Sequence, residues 1–588
     1  MLLKIYILIF PLIPSILNII NISNYEYPHP ENENSNYYTI SIFQTNDIHG
    51  FTLPVENIDP RNGEKYLRGG VEYISSYIKI LKEEWKERFI WFDVGDSFYG
   101  GGFENFISKG QILLDFYNYN NLSAITFGNH EFNEDVSPLE RLMEKSNFDY
   151  LVANMRNFST GQTEFMPNQK RSKIYQVGKI KLGVIGIAHS KTENVDTRNR
   201  KIEFLPYREN IINESNLLKK KGVHVIILIA HFGVHCMNKE GYEDVRILKL
   251  RDKNSKNCPC DNYEELEDLI GSFPKRTIDL VLSGHVHKVT HHWIHNIPIM
   301  SSFSEYYVGI AYMKFKKIKN DFIYEETFLE NPIPLCDKIF NIGKHCRKFT
   351  HKMGDNPDLI GNLEQFSFHN QVVKIDNNFS KIIQKWKDMV EQYKTPFFEN
   401  EIFLTGDKKK ENILQNLITD IYRKYTNSDI SILNPDNLRA KWYPGKKSLK
   451  DLYEMLPFDN ILCTFEMNGR EIMRMMNDIT NELMIYQTSG LIVYYRKNPM
   501  RFVTCKIINE KGEIKDIDYN KNYQIAAYDY LIDGNVHFKN VIKWYKKRKY
   551  KCGKRGREIL KEFLLNKKIL KKDEYYLNPK NPRFIFLN

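Results

Sequence analysis

Cysteine is scarce in this chain, with eight residues in 588. This scarcity excludes the small, disulfide-rich class of secreted domains, although a few disulfides stay compatible with an oxidising compartment. The pair Cys258 and Cys260 is too isolated to indicate a zinc site. Beyond the N-terminus, the sequence has no apolar run long enough to cross a bilayer. It also has no internal repeat.

The N-terminus begins with the apolar run MLLKIYILIFPLIPSILNIINIS, which two prolines interrupt. A short run of this kind is typical of a secretory signal, and we predict a signal peptide over residues 1–23, with an uncleaved anchor as the alternative. The chain ends without a polar spacer and apolar tail, so we expect a secreted, extracellular protein with no GPI or transmembrane tail. Four N-x-S sequons agree with secretion and glycosylation: Asn121, Asn157, Asn213 and Asn378.

The length of the chain exceeds what one hydrophobic core accommodates, which predicts two domains or more. Lys and Arg outnumber Asp and Glu by 84 to 73, giving a formal charge of +11. Two interpretations stay open: a compositional bias on a solvated surface, or a field that attracts anionic substrates. We predict no nucleic-acid partner and no stable membrane anchor, and the oligomeric state stays unknown.

Short β-branched runs alternate with amphipathic helical stretches between about Tyr38 and Tyr312. This alternation predicts an α/β domain with buried strands, which we place at residues 38–345. A linker follows over residues 346–393, and it includes a charged helix at 378–393 that is a candidate hinge. Further helices and strands predict a second, α+β domain over residues 394–588.

Five of the predicted strands end in side chains that bind metals. Because the carboxyl ends of strands in α/β proteins meet at one edge of the sheet, we expect these side chains to share one site. Asp, His and Asn donors suit Zn, Mn, Fe or Mg rather than a thiolate site. On an extended segment, the side chains of the two residues in each D/H-x-H pair would point the same way. The set is Asp47 with His49, Asp96, Asn129, His231, and His285 with His287.

The motifs TNDIHG, the GD of DVGDSF, GNHEF, AHFG and GHVH resemble those of the calcineurin-like metallophosphoesterase superfamily, and within it the 5'-nucleotidase and apyrase family. The family's C-terminal domain is matched by NLITD, NPDNLR, LPF, MNGREI and YQTSGL. The resemblance covers nearly all of the chain from about residue 40. It implies a four-layer α/β sandwich of sheets flanked by helices, then a linker helix and an α+β domain that binds substrate.

The resemblance also implies two divalent metal ions, with zinc expected first and Mn, Mg, Fe or Ca as alternatives. Two ions about 3.5–4 Å apart would clamp the phosphoryl oxygens and activate hydroxide for in-line attack. The ligand sets carried over by position are Asp47, His49 and His287 for one ion, and Asn129, His231 and His285 for the other, with Asp96 bridging.

His130 stands at the position of the family's catalytic histidine, which in its protonated form stabilises charge on the phosphoryl oxygens and the leaving group. The family usually pairs this histidine with the Asp of GNHEFD, whereas this chain has Asn133. An uncharged Asn should raise the histidine pKa less, which bears on catalytic rate more than on metal binding. Glu134 or Asp135 could substitute after a small loop shift.

The resemblance places substrate binding in the second domain, where two aromatic rings sandwich the base and polar residues hold the anionic end. Stacking on such rings tolerates any base. The usual NGGG loop reads NPDN here, and Val536 stands where an Asp normally holds the sugar. The residues at the substrate-binding positions are Lys408, Asn434, Arg439, Phe458 and Tyr530.

These observations predict a secreted, metal-dependent nucleotide phosphohydrolase that releases phosphate from extracellular nucleotides. One alternative is a nucleotide-binding pseudo-enzyme or scavenger with weak turnover, which Asn133, Val536 and the altered NPDN loop favour. A second alternative is the same metal chemistry on sugar nucleotides or cyclic nucleotides. Preference among mono-, di- and triphosphates stays open.

Overall fold

The protein is described here from a computed structural model. The described residues are 27–59, 61–99, 102–132, 136–189, 202–233, 235–236, 260–261, 266–342, 345–346, 361–404, 410–434, 437–438, 441–458, 460–480, 485–497, 500–509, 512–532, 550–572, 574 and 582–587.

Two β-sheets form the centre of the first half of the chain. In the first sheet, Tyr37–Thr45 runs parallel to Phe89–Asp93 and antiparallel to Tyr307–Ile318. The strand order of this sheet is Asp321–Leu329, Tyr307–Ile318, Tyr37–Thr45, Phe89–Asp93, Ala124–Ile125, Asp149–Leu151 and Gln169–Lys170, with Ile333–Pro334 also paired to Tyr307–Ile318. The order in the second sheet is Thr290–Ile294, Ile297–Ser301, Leu280–Ser283, Val225–Ala230, Ile180–Ile187 and Ser172–Val177.

The two sheets pack face to face, and helices cover their outer faces. Ile40 of the first sheet and Ile227 of the second belong to one buried cluster between the sheets. The next residue along each strand points outward: Ile226 and Leu228 pack with the helix that contains Ile211. Because both faces of these strands are buried, the strands are continuous apolar runs rather than alternating ones. The predicted four-layer sandwich is confirmed.

The helices of this half are amphipathic and pack through their apolar faces. Val71–Trp85 buries Tyr77 and Trp85 completely or almost completely against the first sheet. The helices are Val71–Trp85, Phe103–Ser108, Gln111–Tyr119, Val136–Met143, Tyr207–Lys220 and Leu266–Gly271, with 3₁₀ turns at Pro30–Asn32, Lys86–Arg88 and His130–Phe132. Short two-stranded pairs join Val55–Ile58 to Lys65–Arg68, Met155–Asn157 to Ile202–Phe204, His235–Cys236 to Cys260–Asp261, Lys338–Phe340 to Leu363–Gln365, and Ser367–Phe368 to Gln371–Val372.

The segment predicted as one helix over 378–393 forms two consecutive helices, Asn377–Ile382 and Gln384–Gln392. Phe379 on the first of them is fully buried and lies with its ring 5.7 Å from that of Phe116. The candidate hinge is therefore packed on the first half of the chain, as part of its core.

The rest of the chain forms mixed sheets covered by helices, as predicted for the α+β region. A five-stranded sheet has the order Gln487–Ser489, Ile430–Leu433, Asn522–Tyr528, Ile461–Asn468 and Lys551–Arg555. A four-stranded sheet has the order Ile514–Asp516, Arg501–Ile508, Leu491–Arg496 and Phe584–Leu587, and a three-stranded sheet has Gly445–Ser448, Pro396–Asn400 and Ile569–Leu570. The helices are Ile413–Thr426, Leu449–Met455, Gly469–Asp478, Asp529–Ile532 and Gly556–Lys567.

Two disulfides tie described segments together. Cys336 bonds to Cys346, and Cys463 bonds to Cys552 across a sequence separation of 89 residues. Cys505 is a buried free thiol, and burial raises its pKa to about 12, so it is inert rather than nucleophilic. None of the helices in the described part of the chain has the length and apolar character needed to span a membrane.

Candidate metal centre

The predicted metal ligands lie in loops that follow strands of the two facing sheets. The parallel strands Tyr37–Thr45 and Phe89–Asp93 end two to three residues before Asp47 and Asp96. In the second sheet, His231 directly follows Val225–Ala230. Parallel strands expose their carboxyl ends at one edge, so these loops converge there.

Most of these ligands occupy a backbone conformation that side chains other than glycine rarely adopt. The φ angles are 55° at Asp47, 51° at His49, 54° at Asp96, 74° at His285 and 52° at His287. Positive φ at non-glycine residues costs free energy and is concentrated at functional sites. The expectation that each D/H-x-H pair lies on an extended segment is therefore wrong. At both pairs the backbone is left-handed, and the side chains of both members reach the site.

The ligand atoms form two clusters that share one carboxylate. Asp47, His49, Asp96 and His287 offer one atom each, and all of these lie within 4.8 Å of one another. Asp96, His231 and His285 form the second cluster under the same limit. Asp96 is buried and common to both, so the geometry has the form of two adjacent cation sites with a bridging carboxylate.

Backbone carbonyls fix which nitrogen of two histidines faces the site. The Nδ1 of His231 lies 2.6 Å from the carbonyl oxygen of Val94, and the Nδ1 of His49 lies 3.2 Å from that of Tyr99. Each Nδ1 therefore donates to a carbonyl oxygen, which leaves Nε2 as the nitrogen that faces the site and is available to a cation. The Nε2 of His49 lies 2.7 Å from the Nε2 of His287. Two converging imidazole nitrogens are the arrangement that a shared cation requires.

The charges of the site favour cations. Burial by itself raises the pKa of Asp47, but hydrogen bonds with His287 and His49 outweigh it and hold the pKa well below its usual range. Burial of Asp96 is likewise outweighed, by His231 and His130, and its pKa is lowered. The two fully buried carboxylates thus stay ionised, as metal ligands must.

Glu131, which motif reasoning did not single out as a site residue, holds two ligand loops together. Its carboxylate accepts hydrogen bonds from the backbone N–H groups of Asp96, Ser97 and Gly128 at 2.8 Å each, and of Phe98 at 3.1 Å. Burial and the nearby Asp96 raise the pKa of Glu131 to about 7. The signal for it in the sequence is its place in GNHEF, two residues after Asn129.

The donor set fits divalent ions. The side-chain oxygen of Asn129 is buried and accepts no hydrogen bond from any residue that the structure describes. A buried acceptor without a donor costs free energy, and a bound cation would satisfy it. Carboxylate, amide and imidazole donors together match Zn, Mn, Fe or Mg.

The predicted catalytic histidine and one predicted substrate residue face each other across the two halves of the chain. The His130 backbone N–H donates to Asp96 Oδ1 at 2.7 Å, which places its ring beside the ligands, 5.0 Å from the ring of His49. On the other side, the rings of His130 and Phe458 are 6.2 Å apart and within 17° of parallel. The second half of the chain thus presents an aromatic ring to the metal centre.

Other predicted substrate residues are placed only in part. Asn434 is buried after the strand Ile430–Leu433. Tyr530 lies in the helix Asp529–Ile532, but its side chain is outside the described atoms. Asn133, Lys408 and Arg439 lie outside the described residues, as do Glu134, Asp135 and Val536.

Two further aromatic residues contact the ligands and were not predicted. The ring of Phe303 lies 4.7 Å from that of His287, with the planes within 6° of parallel. The buried ring of His189 stacks on His285 at 4.4 Å. Neither residue belongs to a D/H-x-H pair or a recognisable motif, so no signal in the sequence marked them.

Comparison with known proteins agrees with this geometry. Residues 40–289 match the calcineurin-like phosphoesterase family, and residues 393–543 match the 5'-nucleotidase C-terminal domain. An apyrase from Tabanus yao is 22% identical over 91% of this chain and 92% of its own length. An NAD 5'-nucleotidase from Haemophilus influenzae is 21% identical, covering 87% of each chain.

The fold is shared with a solved structure of a 5'-nucleotidase precursor from Thermus thermophilus. The TM-score is 0.68 and the identity 19%, with 94% of this chain and 100% of that chain covered. The resemblance stated from the motifs is confirmed. The chain belongs to the calcineurin-like phosphoesterases that carry a 5'-nucleotidase C-terminal domain, and it is a phosphoric ester hydrolase of that family.

Proposed function

We propose that the protein is a secreted, two-metal nucleotide phosphohydrolase of the 5'-nucleotidase or apyrase type. The observation that carries the proposal is the pair of ligand clusters sharing Asp96, with the ring of Phe458 from the second half of the chain facing His130 beside them. A phosphoester cleaved at the clusters would then have its non-phosphate end beside an aromatic ring.

In this proposal Asp47, His49 and His287 hold one ion and Asn129, His231 and His285 hold the other, with Asp96 bridging them. When bound, divalent ions supply Lewis acidity toward a phosphoryl oxygen and lower the pKa of water into the neutral range. The chain supplies the orientation: carbonyl acceptors hold the rings of His49 and His231, and Glu131 holds the loops of Asp96 and Asn129. Zinc is our first expectation for both positions.

His130 is proposed to donate a hydrogen bond to the phosphoryl oxygens and the leaving group. Its backbone N–H is fixed by Asp96 and its ring lies between the ligand His49 and the ring of Phe458. A charge-assisted donor placed where negative charge develops lowers the activation barrier. Asn133, which replaces the usual Asp partner of this histidine, would support its protonated form less strongly than a carboxylate.

A nucleotide is the proposed substrate. Phe458 would stack on one face of the base and Tyr530 on the other, while Lys408, Asn434 and Arg439 would contact the anionic and sugar groups. Aromatic stacking accepts every base, so we expect broad base tolerance. The names of the relatives, apyrase and NAD 5'-nucleotidase, agree with a nucleotide substrate.

We further propose four segments in the chain: a signal peptide over residues 1–23, a catalytic domain over 38–345, a linker over 346–393 and a substrate-binding domain over 394–588.

The test is phosphate release from ATP, ADP and AMP by the full-length protein, with Zn, Mn, Mg or Ca and with EDTA. We expect metal-dependent release that falls by at least a thousand-fold in Asp96→Ala, because the bridging carboxylate is lost. Asp516→Ala, which removes a strongly exposed carboxylate from a surface ion pair with Lys506, is the matched control and should retain activity. The ranking of the three substrates separates apyrase from 5'-nucleotidase activity.

A nucleotide-binding protein with weak turnover is the second candidate, and Asn133 is the residue that favours it. Binding of nucleotide with release no faster than in Asp96→Ala would establish this candidate and overturn the first. Adding NAD, a sugar nucleotide and a cyclic nucleotide to the substrate panel tests the alternative phosphoesters with the same protein.

A further inference from the structure

Arg557 lies at the start of the helix Gly556–Lys567 and is 4% exposed. Its Nη1 donates to the carbonyl oxygens of Leu456 at 2.9 Å and Pro457 at 3.0 Å. These are the two residues directly before Phe458. The preceding Gly556 donates its backbone N–H to the carbonyl oxygen of Asn460 at 3.0 Å. The helix start therefore holds the chain on both sides of Phe458.

The same guanidinium contacts the catalytic half of the chain. Its carbon atom lies 3.7 Å from the ring centre of Tyr453, and 5.0 Å from the ring centre of Phe106. Phe106 belongs to the helix Phe103–Ser108, and its ring lies 4.5 Å from that of Tyr453. Stacked arginine combines hydrogen bonding in its plane with cation–π contact above it. One side chain thus joins the Phe458 loop to the catalytic half.

The position of Arg557 is set by close packing at Gly556. A Cβ added at Gly556 would lie 2.4 Å from the hydroxyl of Tyr528 and 2.5 Å from that of Tyr422. Only glycine allows the helix to begin this close to the strand that contains Tyr528. The helix start is therefore rigidly located, and Arg557 with it.

We propose that Arg557 is a positioning residue for substrate, which acts through Phe458 by holding that ring in the place where the nucleotide base stacks. This inference rests on the proposed function, because it takes Phe458 as a stacking residue. Without the guanidinium, two carbonyls lose their donor and the loop is free to move its ring away from His130. The loss should therefore fall mainly on recognition of the base and only weakly on chemistry at the phosphate.

The first measurement is kcat and KM for AMP and for p-nitrophenyl phosphate, which has no nucleobase, in wild type, Arg557→Met, Arg557→Lys and Arg555→Met. We expect kcat/KM for AMP to fall about ten-fold in Arg557→Met, through KM, with at most a three-fold fall for p-nitrophenyl phosphate. The lysine in Arg557→Lys can still donate hydrogen bonds to carbonyls but has no planar group to stack on the rings, so kcat/KM for AMP should fall by an intermediate factor. Arg555 is an exposed residue at the end of the strand Lys551–Arg555, and its variant should match wild type.

The second measurement is AMP binding by calorimetry to the EDTA-treated proteins, which separates this inference from the proposed hydrolysis. A ten-fold weaker Kd in Arg557→Met supports the inference even if wild type releases no phosphate, which would overturn the proposed function alone. Equal AMP affinity in wild type and a folded Arg557 variant, or equal losses on both substrates, would overturn the inference. If circular dichroism shows that Arg557→Met is unfolded, the same measurements on Arg557→Lys test the inference. Absence of AMP binding in wild type would overturn both proposals.

Discussion

The backbone N–H of Asp96 donates a hydrogen bond to the carboxylate of Glu131 at 2.8 Å, and the Asp96 carboxylate in turn accepts a hydrogen bond from the backbone N–H of His130. The two loops that carry Asp96 and Asn129 are thus cross-linked in both directions. Because Glu131 also accepts hydrogen bonds from Ser97, Phe98 and Gly128, it holds the loop of the proposed bridging ligand against the loop of a proposed terminal ligand.

Glu131→Gln should therefore weaken metal binding without removing any ligand. The amide has one acceptor oxygen, and its NH₂ group would face N–H donors, so the loops lose part of their support. Loss of such an outer partner typically costs 10- to 100-fold in metal affinity, and we expect a value in that range. Competition with a fluorescent zinc chelator measures it. Glu144→Gln, which changes an exposed residue directly after the helix Val136–Met143, is the control. Equal zinc affinities in the two variants would contradict the prediction.

Phe303 combines a positive φ of 56° with the ring that stacks on His287. Phe303→Ala and Phe303→Gly both remove the ring, but only glycine relieves the backbone. We expect Phe303→Gly to be more stable than Phe303→Ala by about 1 kcal/mol in unfolding free energy. Urea denaturation of the two variants measures the difference. A Phe303→Ala protein as stable as Phe303→Gly would mean that the turn relaxes at no cost.

Glu104 is a buried carboxylate at the contact between the two halves of the chain. Burial raises its pKa, and Lys450, 3.4 Å away, opposes this. Lys450→Met would leave the carboxylate unpaired and should cost about 3 kcal/mol, whereas Lys450→Met combined with Glu104→Gln should recover part of the loss. Thermal melts of the single and double variants test this.

A surface ion pair provides the control for this cycle. Lys554 and Glu562 are about half exposed, and Lys554→Met should leave the unfolding free energy nearly unchanged, because solvent screens the pair. If Lys450→Met behaves like Lys554→Met, the contact between the halves does not depend on the buried pair.

His369 lies between Glu84 and Glu330, with Tyr27 stacked on its ring at 4.1 Å. Burial lowers the pKa of His369, but the hydrogen bonds with Glu330 and Glu84 outweigh it and raise the pKa to about 9. A folded pKa above the unfolded value of about 6.5 means that the stabilisation is complete below pH 6.5 and is lost as the pH rises through 9.

The stability of wild type should therefore fall between pH 7 and pH 9.5 by about 2 kcal/mol more than that of His369→Gln. The measurement is urea denaturation at intervals across that range. His29, which contacts Glu84, has to be kept unchanged in both proteins. Parallel pH profiles would show that His369 is not charged in the folded protein.

The sequence allowed the layered fold and the ligand set to be predicted because both rest on local patterns. Buried strands are continuous apolar runs, and the ligands come directly after them, so Asp47 and His231 could be assigned to one edge from spacing alone. The left-handed backbone at Asp47 and His49 could not be predicted, because residues other than glycine rarely adopt this conformation.

Residues that act through long-range packing could not be identified from the sequence. Phe303 and Arg557 look like ordinary core and surface residues in isolation, and their roles arise only from which ring or carbonyl the fold brings to them. The break between the helices Asn377–Ile382 and Gln384–Gln392 falls at Ile383, whose complete burial depends on tertiary contacts that the local pattern does not encode.

The Cys463–Cys552 bond has a consequence for a protein exposed to proteases. It joins two residues that are 89 positions apart in the sequence, and the strands that carry them are neighbours in one sheet. A single nick between residues 464 and 551 would leave both fragments covalently joined, with Phe458 on one and Arg557 on the other. Such a nicked chain would migrate as one species until reductant is added, and the two fragments would separate only then.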